Sequence, residues 1–215
     1  MTSVILLSPT PLSYSHLHPL LVPRSPSPAP TCRTSLKTWP KARSTDYFLQ
    51  ADGSITSAKS TSSTASRSYL YDPSHPQVTN GGNNLPPDIG GSIECGPLDQ
   101  SEIDKRSDVL VFQTEVLTDA LPLTGPLYST LYVSSDAIDT DFMVRISDVY
   151  PTGEVRLLQD NAVRMRWREQ TLTPVYMEKD QVYEINLNLW NTSYVFAAGH
   201  SLRVAISSSN NPRYA

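Results

Sequence analysis

The sequence contains only two cysteines, Cys32 and Cys95, and neither belongs to a CxxC pair or a His/Cys cluster. This scarcity predicts neither a structural zinc site nor a disulfide framework, and we expect the two thiols to remain unpaired. Long apolar runs are also missing. The longest of them, such as Val4–Leu7, fall far below the roughly 18 residues that a membrane-spanning helix needs. The sequence therefore predicts neither a transmembrane segment nor a metal-stabilised fold.

Charge is scarce as well, and it is unevenly distributed. Residues 1–45 hold five of the 17 basic residues and none of the 21 acidic ones, so the remaining chain is acidic. Nucleic-acid binding depends on clustered Lys and Arg that neutralise phosphates, so we expect no nucleic-acid partner. The N-terminal apolar run follows no positive charge and precedes no small-residue cleavage site, which argues against a secretory signal. The compartment stays open, with the cytoplasm as the expectation.

Proline and serine dominate the first 38 residues, in stretches such as SPTPLSYS and PRSPSPAP. A Pro/Ser mixture buries little apolar surface and cannot form a regular backbone ladder. We therefore expect residues 1–38 to be a disordered tail and residues 39–215 to form the folded domain. Within that domain, the Pro-, Gly- and Asn-rich stretch 73–107 predicts a long loop that is functional or packs across a neighbouring surface.

Apolar residues at every second position dominate the chain from Asp108 onward. The clearest examples are 163–168 and 183–189, where apolar residues at odd positions alternate with Arg, Glu or Asn. A period of two predicts strands with one buried and one solvated face. No apolar period of 3.6 residues runs for three turns. Several short strands separated by turn residues predict an all-β fold, an antiparallel β-sandwich of the jelly-roll type.

The residues that could carry catalysis do not form a recognisable set. Ser92 lies in the nearest match to the nucleophile motif G-x-S-x-G, but the stretch GGSIE lacks the final glycine and no apolar strand precedes it. His200 could be a general base, yet its place in AGH before a strand favours a structural turn histidine bonded to the backbone. The other histidines fall in the tail or the loop, and nothing near them completes a metal site. They are His16, His18 and His75.

Three further groups of side chains each allow a functional and a structural interpretation. The aspartates have a spacing that calcium accepts, but the EF-hand pattern is absent, and capping of backbone N–H groups is favoured. The arginines could bind an anion, although pairing across strands with acidic neighbours is favoured. The tyrosines could stack on a sugar ring or simply favour strand formation. The groups are Asp136, Asp139 and Asp141; Arg164, Arg166 and Arg168; and Tyr128, Tyr132 and Tyr150.

Several motifs in a fixed order resemble the C-terminal β-domain of the CocE/NonD hydrolases. They include TWPKARSTDYFLQADGS at 38–54, VSSDAIDTDF at 133–142, DVYPTGEVRLLQD at 148–160 and AGHSLRVAISSSNNPR at 198–213. That family includes cocaine esterase-like enzymes, α-amino acid ester hydrolases and Xaa-Pro dipeptidyl-peptidases. The resemblance extends from about Trp39 to Ala215. It implies a galactose-binding-like β-sandwich, similar to the Xaa-Pro dipeptidyl-peptidase C-terminal domain.

The resemblance also implies a function that this chain would not perform alone. In the family, ester or amide bonds, including those cut by dipeptidyl-peptidases, are cleaved through an acyl-serine intermediate on a preceding α/β-hydrolase domain. We therefore expect no catalytic, cofactor-binding or metal-binding residue in this chain. The expected partner is an α/β-hydrolase domain, and self-association into a homo-oligomer is a second possibility. Family members continue beyond Asn211–Ala215, so we expect a truncated sandwich and a gene fragment. The alternative is a stand-alone carbohydrate- or ligand-binding jelly roll.

Overall fold

The computed structural model describes residues 2–6, 11–16, 43–59, 65–84, 90–91 and 93–214 of the chain. These residues form eleven β-strands and two short 3₁₀ helices, and no α-helix occurs among them. The strands are β1 (Thr2–Leu6), β2 (Pro11–His16), β3 (Arg43–Leu49), β4 (Ile55–Thr56), β5 (Ser66–Leu70), β6 (Leu110–Gln113), β7 (Leu121–Ser135), β8 (Asp141–Val149), β9 (Val155–Arg164), β10 (Tyr183–Phe196) and β11 (Ser201–Ser207). The 3₁₀ helices are Ile103–Lys105 and Met165–Trp167.

The strands form two antiparallel sheets. β7 is the centre of the larger sheet: β10 pairs along one edge, and β1 and β2 pair with successive parts of the other edge. β5 extends the sheet beyond β1, while β3 and β4 extend it beyond β2. The smaller sheet has the order β6-β11-β8-β9. The β7–β8 and β9–β10 connections therefore both cross between the sheets, and they do so at the same end of the fold.

A single apolar cluster lies between the two sheets and joins their inward faces. The larger sheet contributes Leu123, Leu127 and Leu131 from β7 and Ile185, Leu187 and Leu189 from β10, while the smaller sheet contributes Phe112, Val144, Ile146, Val204 and Ile206. Two sheets that share one core in this way form a β-sandwich. The expected all-β sandwich is thus confirmed, whereas its jelly-roll type stays a prediction.

Strand β10 shows the alternation that its sequence predicts, as far as Leu189. Ile185, Leu187 and Leu189 are almost completely buried, while the intervening polar residues are exposed. The alternation then shifts by one residue at Trp190, whose φ is +69° and which is the extra residue of a β-bulge opposite β7. Beyond the bulge, Phe196 returns to the core. The strand therefore continues seven residues past the predicted segment 183–189.

Strand β8 is buried on both faces, because the long loop before β6 covers its outer side. Phe142, Val144 and Ile146 enter the core, while Arg145 on the outer face is only 3% exposed. Arg145 donates hydrogen bonds to Gln100 and Asp104 of the loop, at 2.7 and 3.0 Å. Burial lowers the pKa of Arg145, and the charge of Asp104 offsets part of this effect. The predicted loop over 73–107 thus packs across a neighbouring surface, one of its two expected roles.

The structure differs from the sequence expectations at two places, while the domain boundary at residue 39 stays a prediction. Strands β1 and β2 lie within the segment expected to be a disordered tail, where their backbones pair with β7. The rest of that tail lies outside the described residues. The alternating run 163–168 is not one strand either: β9 ends at Arg164 and the chain turns into the 3₁₀ helix Met165–Trp167. Backbone bonding of Met165 to Thr140 on the β7–β8 connection replaces further strand pairing.

The alternation of β10 makes a direct prediction about stability. Leu187→Ala leaves a cavity in the core and should lower the free energy of unfolding by about 2–5 kcal/mol. Asn186→Ala on the exposed face removes two solvent-exposed hydrogen bonds, one accepted from Thr130 and one donated to Glu184, and should cost less than about 1 kcal/mol. Urea denaturation of both variants measures the difference. Equal losses would show that the assignment of faces is wrong.

Candidate functional site

The Asp-rich turn and the Arg-containing segment, which the sequence separates by more than 20 residues, meet at one end of the sandwich. Asp141 opens β8 and Arg164 closes β9, and the two are direct partners across the antiparallel ladder. Their side chains form a two-pronged pair, with N–O distances of 2.7 and 2.6 Å. The hydrogen bond to the Asp141 carboxylate raises the pKa of Arg164 above its ordinary value. Cross-strand pairing, the favoured interpretation of the arginines, is confirmed for this residue.

Asp139 and Arg166 anchor the β7–β8 turn to the 3₁₀ helix Met165–Trp167. The Asp139 carboxylate accepts a hydrogen bond from the backbone N–H of Arg166 at 3.0 Å. The guanidinium of Arg166 lies 3.5 Å from the same carboxylate. Asp139 therefore caps a backbone donor, as expected for this turn. No group of three or more His, Cys, Asp or Glu that could hold a metal occurs in the described part of the chain.

Arg168 fixes the long connection that leads into β10. Its guanidinium donates to the carbonyl oxygens of Met165 at 2.9 Å and of Val175 at 2.5 Å. The same group lies over the ring of Tyr183, 4.4 Å from the centroid. The three arginines thus do not line one strand face, since each has a different orientation and a different set of partners. The fold therefore does not bring the three guanidinium groups together into one anion-binding site.

The connection 169–182 is tied to the β7–β8 turn by backbone hydrogen bonds. The N–H of Met177 donates to the carbonyl of Ile138, and the N–H of Asp180 donates to the carbonyl of Ser135, at 2.8 and 2.9 Å. The Met177 side chain is buried in the core. We call the turn 136–140 and the segment 165–182 together the loop surface. Although it lacks regular strands, many specific contacts hold it in place.

The loop surface exposes large apolar side chains in spite of these anchors. Leu172 is fully exposed at 102% of its reference area, and Ile138 is 66% exposed. The other members are Trp167, Tyr176 and Val182, each between 41% and 51% exposed. Groups of exposed apolar residues mark interaction sites more often than single ones do. This end of the sandwich is therefore the first candidate for a functional surface.

A second cluster lies at the opposite end, around the buried Asp148. The Nδ1 atom of His200 is 3.0 Å from both carboxylate oxygens, and the Tyr194 hydroxyl donates to Asp148 at 2.7 Å. The His200 ring also packs on Tyr150, with centroids 4.3 Å apart. Burial, followed by the hydrogen bond to Asp148, raises the pKa of Tyr194 far above its ordinary value. The phenol therefore stays neutral and acts as a hydrogen-bond donor.

An Asp–His pair supplies two of the three members of a catalytic triad, but no nucleophile among the described residues is hydrogen-bonded to this histidine. Among the described residues, the His200 ring forms hydrogen bonds with Asp148 alone. The sequence predicts a structural histidine whose ring bonds to the backbone. The predicted partner is wrong, because the ring bonds to the Asp148 carboxylate. Pairing of β11 with β8 sets Leu202 opposite Asp148, so the turn that precedes β11 brings the ring to the carboxylate. Ser92, the nearest candidate nucleophile, lies outside the described residues.

A cavity of about 550 Å³ lies beside this cluster, between β9 and the loop before β6. Its lining includes Tyr150 and Tyr194 together with Arg156 and Asp160. Asp160 is already neutralised by Arg213, whose guanidinium nitrogen is 2.8 and 2.7 Å from the two carboxylate oxygens. Arg156 pairs with Glu154 on the surface. The charged groups of the cavity wall are thus satisfied by the protein itself.

The remaining candidates from the sequence are scattered. Tyr128 is 48% exposed on the outer face of β7, and Tyr132 on the same face donates to Glu184 at 2.9 Å. His75 contacts Asp72 at the surface, and Cys95 is a free, half-buried thiol. Cys32 and His18 lie outside the described residues, as does the side chain of His16. In the described part of the chain, no helix is long and apolar enough to cross a membrane.

A family of X-Pro dipeptidyl-peptidase C-terminal non-catalytic domains matches residues 23–215 of the sequence. The chain belongs to this family. The match starts ahead of the boundary at residue 39 that the composition predicts. The resemblance drawn from the sequence motifs is confirmed.

The relatives that this X-Pro dipeptidyl-peptidase C-terminal domain matches are hydrolases between two and three times as long as the chain. It is 42% identical over 151 residues to the cocaine esterase of Rhodococcus sp. (strain MB1 Bresler), which is 68% of this chain and 25% of the esterase. The structure resembles an aminopeptidase from the marine sediment archaeon Thaumarchaeota archaeon with a TM-score of 0.72 and 28% identity, covering 78% of this chain and 29% of that protein. For an α-amino acid ester hydrolase the TM-score is 0.61 at 26% identity, covering 77% and 29%. The chain thus spans between 25% and 29% of these relatives.

Sequence reasoning found the Asp-rich turn and the arginines, but it missed the loop surface as a unit. The segment 169–182 contains Leu172, Val175 and Tyr176 without a period of 2 or 3.6 residues. Apolar residues without a period, between two predicted strands, are the signal that could have identified it. Asp148 was missed because its partners, Tyr194 and His200, are 46 and 52 residues away along the chain.

The pair of Asp141 and Arg164 makes a prediction that a double-mutant cycle can test. Two aligned N–H···O bonds in a partly buried setting should give a coupling energy of about 1–2 kcal/mol between Asp141→Ala and Arg164→Ala. Glu102 and Lys105 form a matched control, since this pair is also in contact but both side chains are largely exposed. Its coupling should be close to zero. Similar couplings for the two pairs would contradict a structural role of the Asp141–Arg164 pair at this end.

Proposed function

We propose that this chain is the non-catalytic β-domain of a serine hydrolase that cleaves ester or amide bonds. The family match over residues 23–215 is the observation that carries the proposal. The similar proteins are named as an esterase, an ester hydrolase and an aminopeptidase, all of which act on carboxylic acid derivatives. The chain covers between 25% and 29% of each and matches a domain described as non-catalytic, so the reaction belongs to the part of those proteins that it does not match.

The chemistry of the described residues supports a non-catalytic role. Acyl transfer needs a nucleophile, a base within hydrogen-bond reach of it and donors for the oxyanion. His200 would supply the base and Asp148 the carboxylate that orients it. The same carboxylate, however, also accepts a hydrogen bond from the Tyr194 hydroxyl. These contacts link β10 in one sheet to β8 in the other. The cluster therefore acts as a polar clamp between the sheets.

The β-domain contributes to the reaction by packing on an α/β-hydrolase domain and forming one wall of its substrate cleft. A rigid sandwich suits that role, because residues that position a substrate need fixed support. Buried ion pairs hold irregular segments against the smaller sheet: Arg145–Asp104 fixes the long loop before β6, and Arg213–Asp160 fixes the segment after β11. Such an assembly can catalyse ester hydrolysis or dipeptidyl-peptidase cleavage, and the hydrolase domain determines which of the two reactions occurs.

Activity measurements test the proposal on a chimera, defined as the Rhodococcus cocaine esterase with its matched C-terminal segment replaced by residues 23–215. The chimera should hydrolyse an activated ester with saturable kinetics. The chain alone, and the esterase without its C-terminal segment, should show background rates only, because neither holds a complete cleft. Saturable turnover by the chain alone, lost on Ser92→Ala, would refute the proposal.

The alternative, a stand-alone carbohydrate-binding module, draws on the outer face of β7 and β10. Tyr128 and Tyr132 lie there opposite Asn188 and Glu184, and aromatic rings beside amides and carboxylates are typical of sugar sites. The Tyr132 hydroxyl is already bonded to Glu184, which raises the pKa of Tyr132 and leaves Tyr128 as the more exposed of the two tyrosines. This engagement of Tyr132 makes the alternative the weaker of the two.

A glycan array separates the two functions. The β-domain proposal predicts no glycan bound above background by the purified chain, and the same result for Tyr128→Ala. Binding of one glycan class that disappears in Tyr128→Ala but persists in Tyr176→Ala would favour the carbohydrate-binding module instead. Tyr176 is the matched control, because it is equally exposed but belongs to the loop surface.

A further inference from the structure

Five large apolar side chains are exposed on the loop surface, from two separate segments of the chain. Ile138 comes from the β7–β8 turn, and Trp167, Leu172, Tyr176 and Val182 come from the β9–β10 connection. Backbone hydrogen bonds bring the two segments together: the N–H of Met177 donates to the carbonyl of Ile138, and the N–H of Met165 donates to the carbonyl of Thr140. An apolar surface assembled from two segments in this way is costly to leave in water.

The loop surface is also held in a fixed conformation. Arg168 bonds to two carbonyl groups of the connection and packs on Tyr183, while the Tyr183 hydroxyl accepts the N–H of Glu178 at 2.8 Å. Gln170 and Asp180 have φ values of +54° and +60°, a conformation that non-glycine residues adopt only when their surroundings fix it. Association loses less conformational entropy when exposed side chains stand on such a fixed backbone.

The size of the relatives indicates what covers this surface. In the cocaine esterase and the aminopeptidase, more than two thirds of the protein lies outside the part that matches this chain. A domain described as non-catalytic and C-terminal has a catalytic part in the same polypeptide as its permanent neighbour. Permanent interfaces have apolar centres with aromatic and Arg residues, which is the composition found here.

The outer face of β7 and β10 is a poorer candidate for such an interface. Its polar side chains already bond to one another across the strands: Thr130 to Asn186 at 2.7 Å, and Tyr132 to Glu184 at 2.9 Å. Burial of these groups would remove their contact with water without adding a new partner. Exposed apolar side chains are fewer there, with Trp190 the largest of them.

Resting on the function proposed above, we propose that the loop surface, 136–140 with 165–182, is where this domain docks on the catalytic part of the hydrolase. Leu172 and Tyr176 are the central contacts. Trp167 and Ile138 flank them on the two segments. The Asp141–Arg164 and Asp139–Arg166 pairs hold the base of the surface and are not themselves the contact.

Hydroxyl-radical footprinting of the chain alone and of the chimera tests the surface directly. Oxidation at Trp167, Leu172 and Tyr176 should fall by about tenfold in the chimera, because docking removes these side chains from solvent. Trp190 and Tyr128 are matched controls of the same residue types on the outer face of β7 and β10, and their oxidation should not change. Protection of the controls without protection of Trp167 and Tyr176 would overturn the proposal.

Single substitutions in the chimera provide a second measurement. Ile138→Glu and Leu172→Glu place a charge in the interface and should split the thermal unfolding of the chimera into two transitions, one for each undocked part. Val116→Glu is the control, because Val116 is as exposed as Ile138 but lies at the opposite end of the sandwich. In the chain alone, all three variants should melt at the wild-type temperature. A single unchanged transition in the Ile138 and Leu172 variants would overturn the proposal.

Two further results separate this surface from the function on which it rests. An active chimera in which Trp167 and Tyr176 are oxidised as fast as in the chain alone refutes the surface and leaves the proposed function intact. An inactive chimera with both residues protected refutes the hydrolase function and supports the surface. Oxidation of Trp167 in the chain alone should not depend on protein concentration, and protection that grows with concentration would make a second copy the occupant.

Discussion

The antiparallel ladder between β7 and β10 is the constraint on which the rest of the structure depends. Twelve residues of each strand are paired, with one bulge at Trp190. The inward side of the ladder supplies Leu127, Leu131 and Leu187 to the core. Because β7 ends and β10 begins at the same end of the sandwich, the turn after Ser135 and the connection before Tyr183 must leave the sheet side by side. The loop surface is a geometric consequence of this pairing.

The part of the fold that the sequence predicts is the part set by local periodicity. The alternation over 183–189 predicts which residues of β10 face the core. This prediction is correct because successive side chains of a strand point to opposite faces of the sheet. A local pattern mispredicts the structure where a contact with a residue distant in the sequence determines the backbone conformation. The run 163–168 alternates equally well, but bonding of Met165 to Thr140 and of Arg166 to Asp139 ends β9 at Arg164. Strands β1 and β2 were missed for the same reason, since their pairing with β7 is not visible in a Pro/Ser-rich composition.

The electrostatics of the domain are those of a scaffold. Almost every buried charge has a specific opposite partner: Arg145 and Arg203 share Asp104, and Arg213 holds Asp160. Removal of one partner from such a pair leaves an uncompensated charge, so these contacts favour one arrangement of the loops over others. At the loop surface the ion pairs lie beneath exposed apolar side chains. Rigid support under an apolar surface is the property that a docking domain needs. In the sequence its only signal is a group of apolar residues without a period.

A crystal structure of the chimera of the Rhodococcus esterase with residues 23–215 tests the central claim most directly. If the chain is the non-catalytic domain of a hydrolase that docks through its loop surface, Trp167, Leu172 and Tyr176 will be buried against the catalytic part, and the outer face of β7 and β10 will remain in solvent. A structure in which the loop surface remains in solvent, while the catalytic part contacts Tyr128 and Trp190, would contradict it.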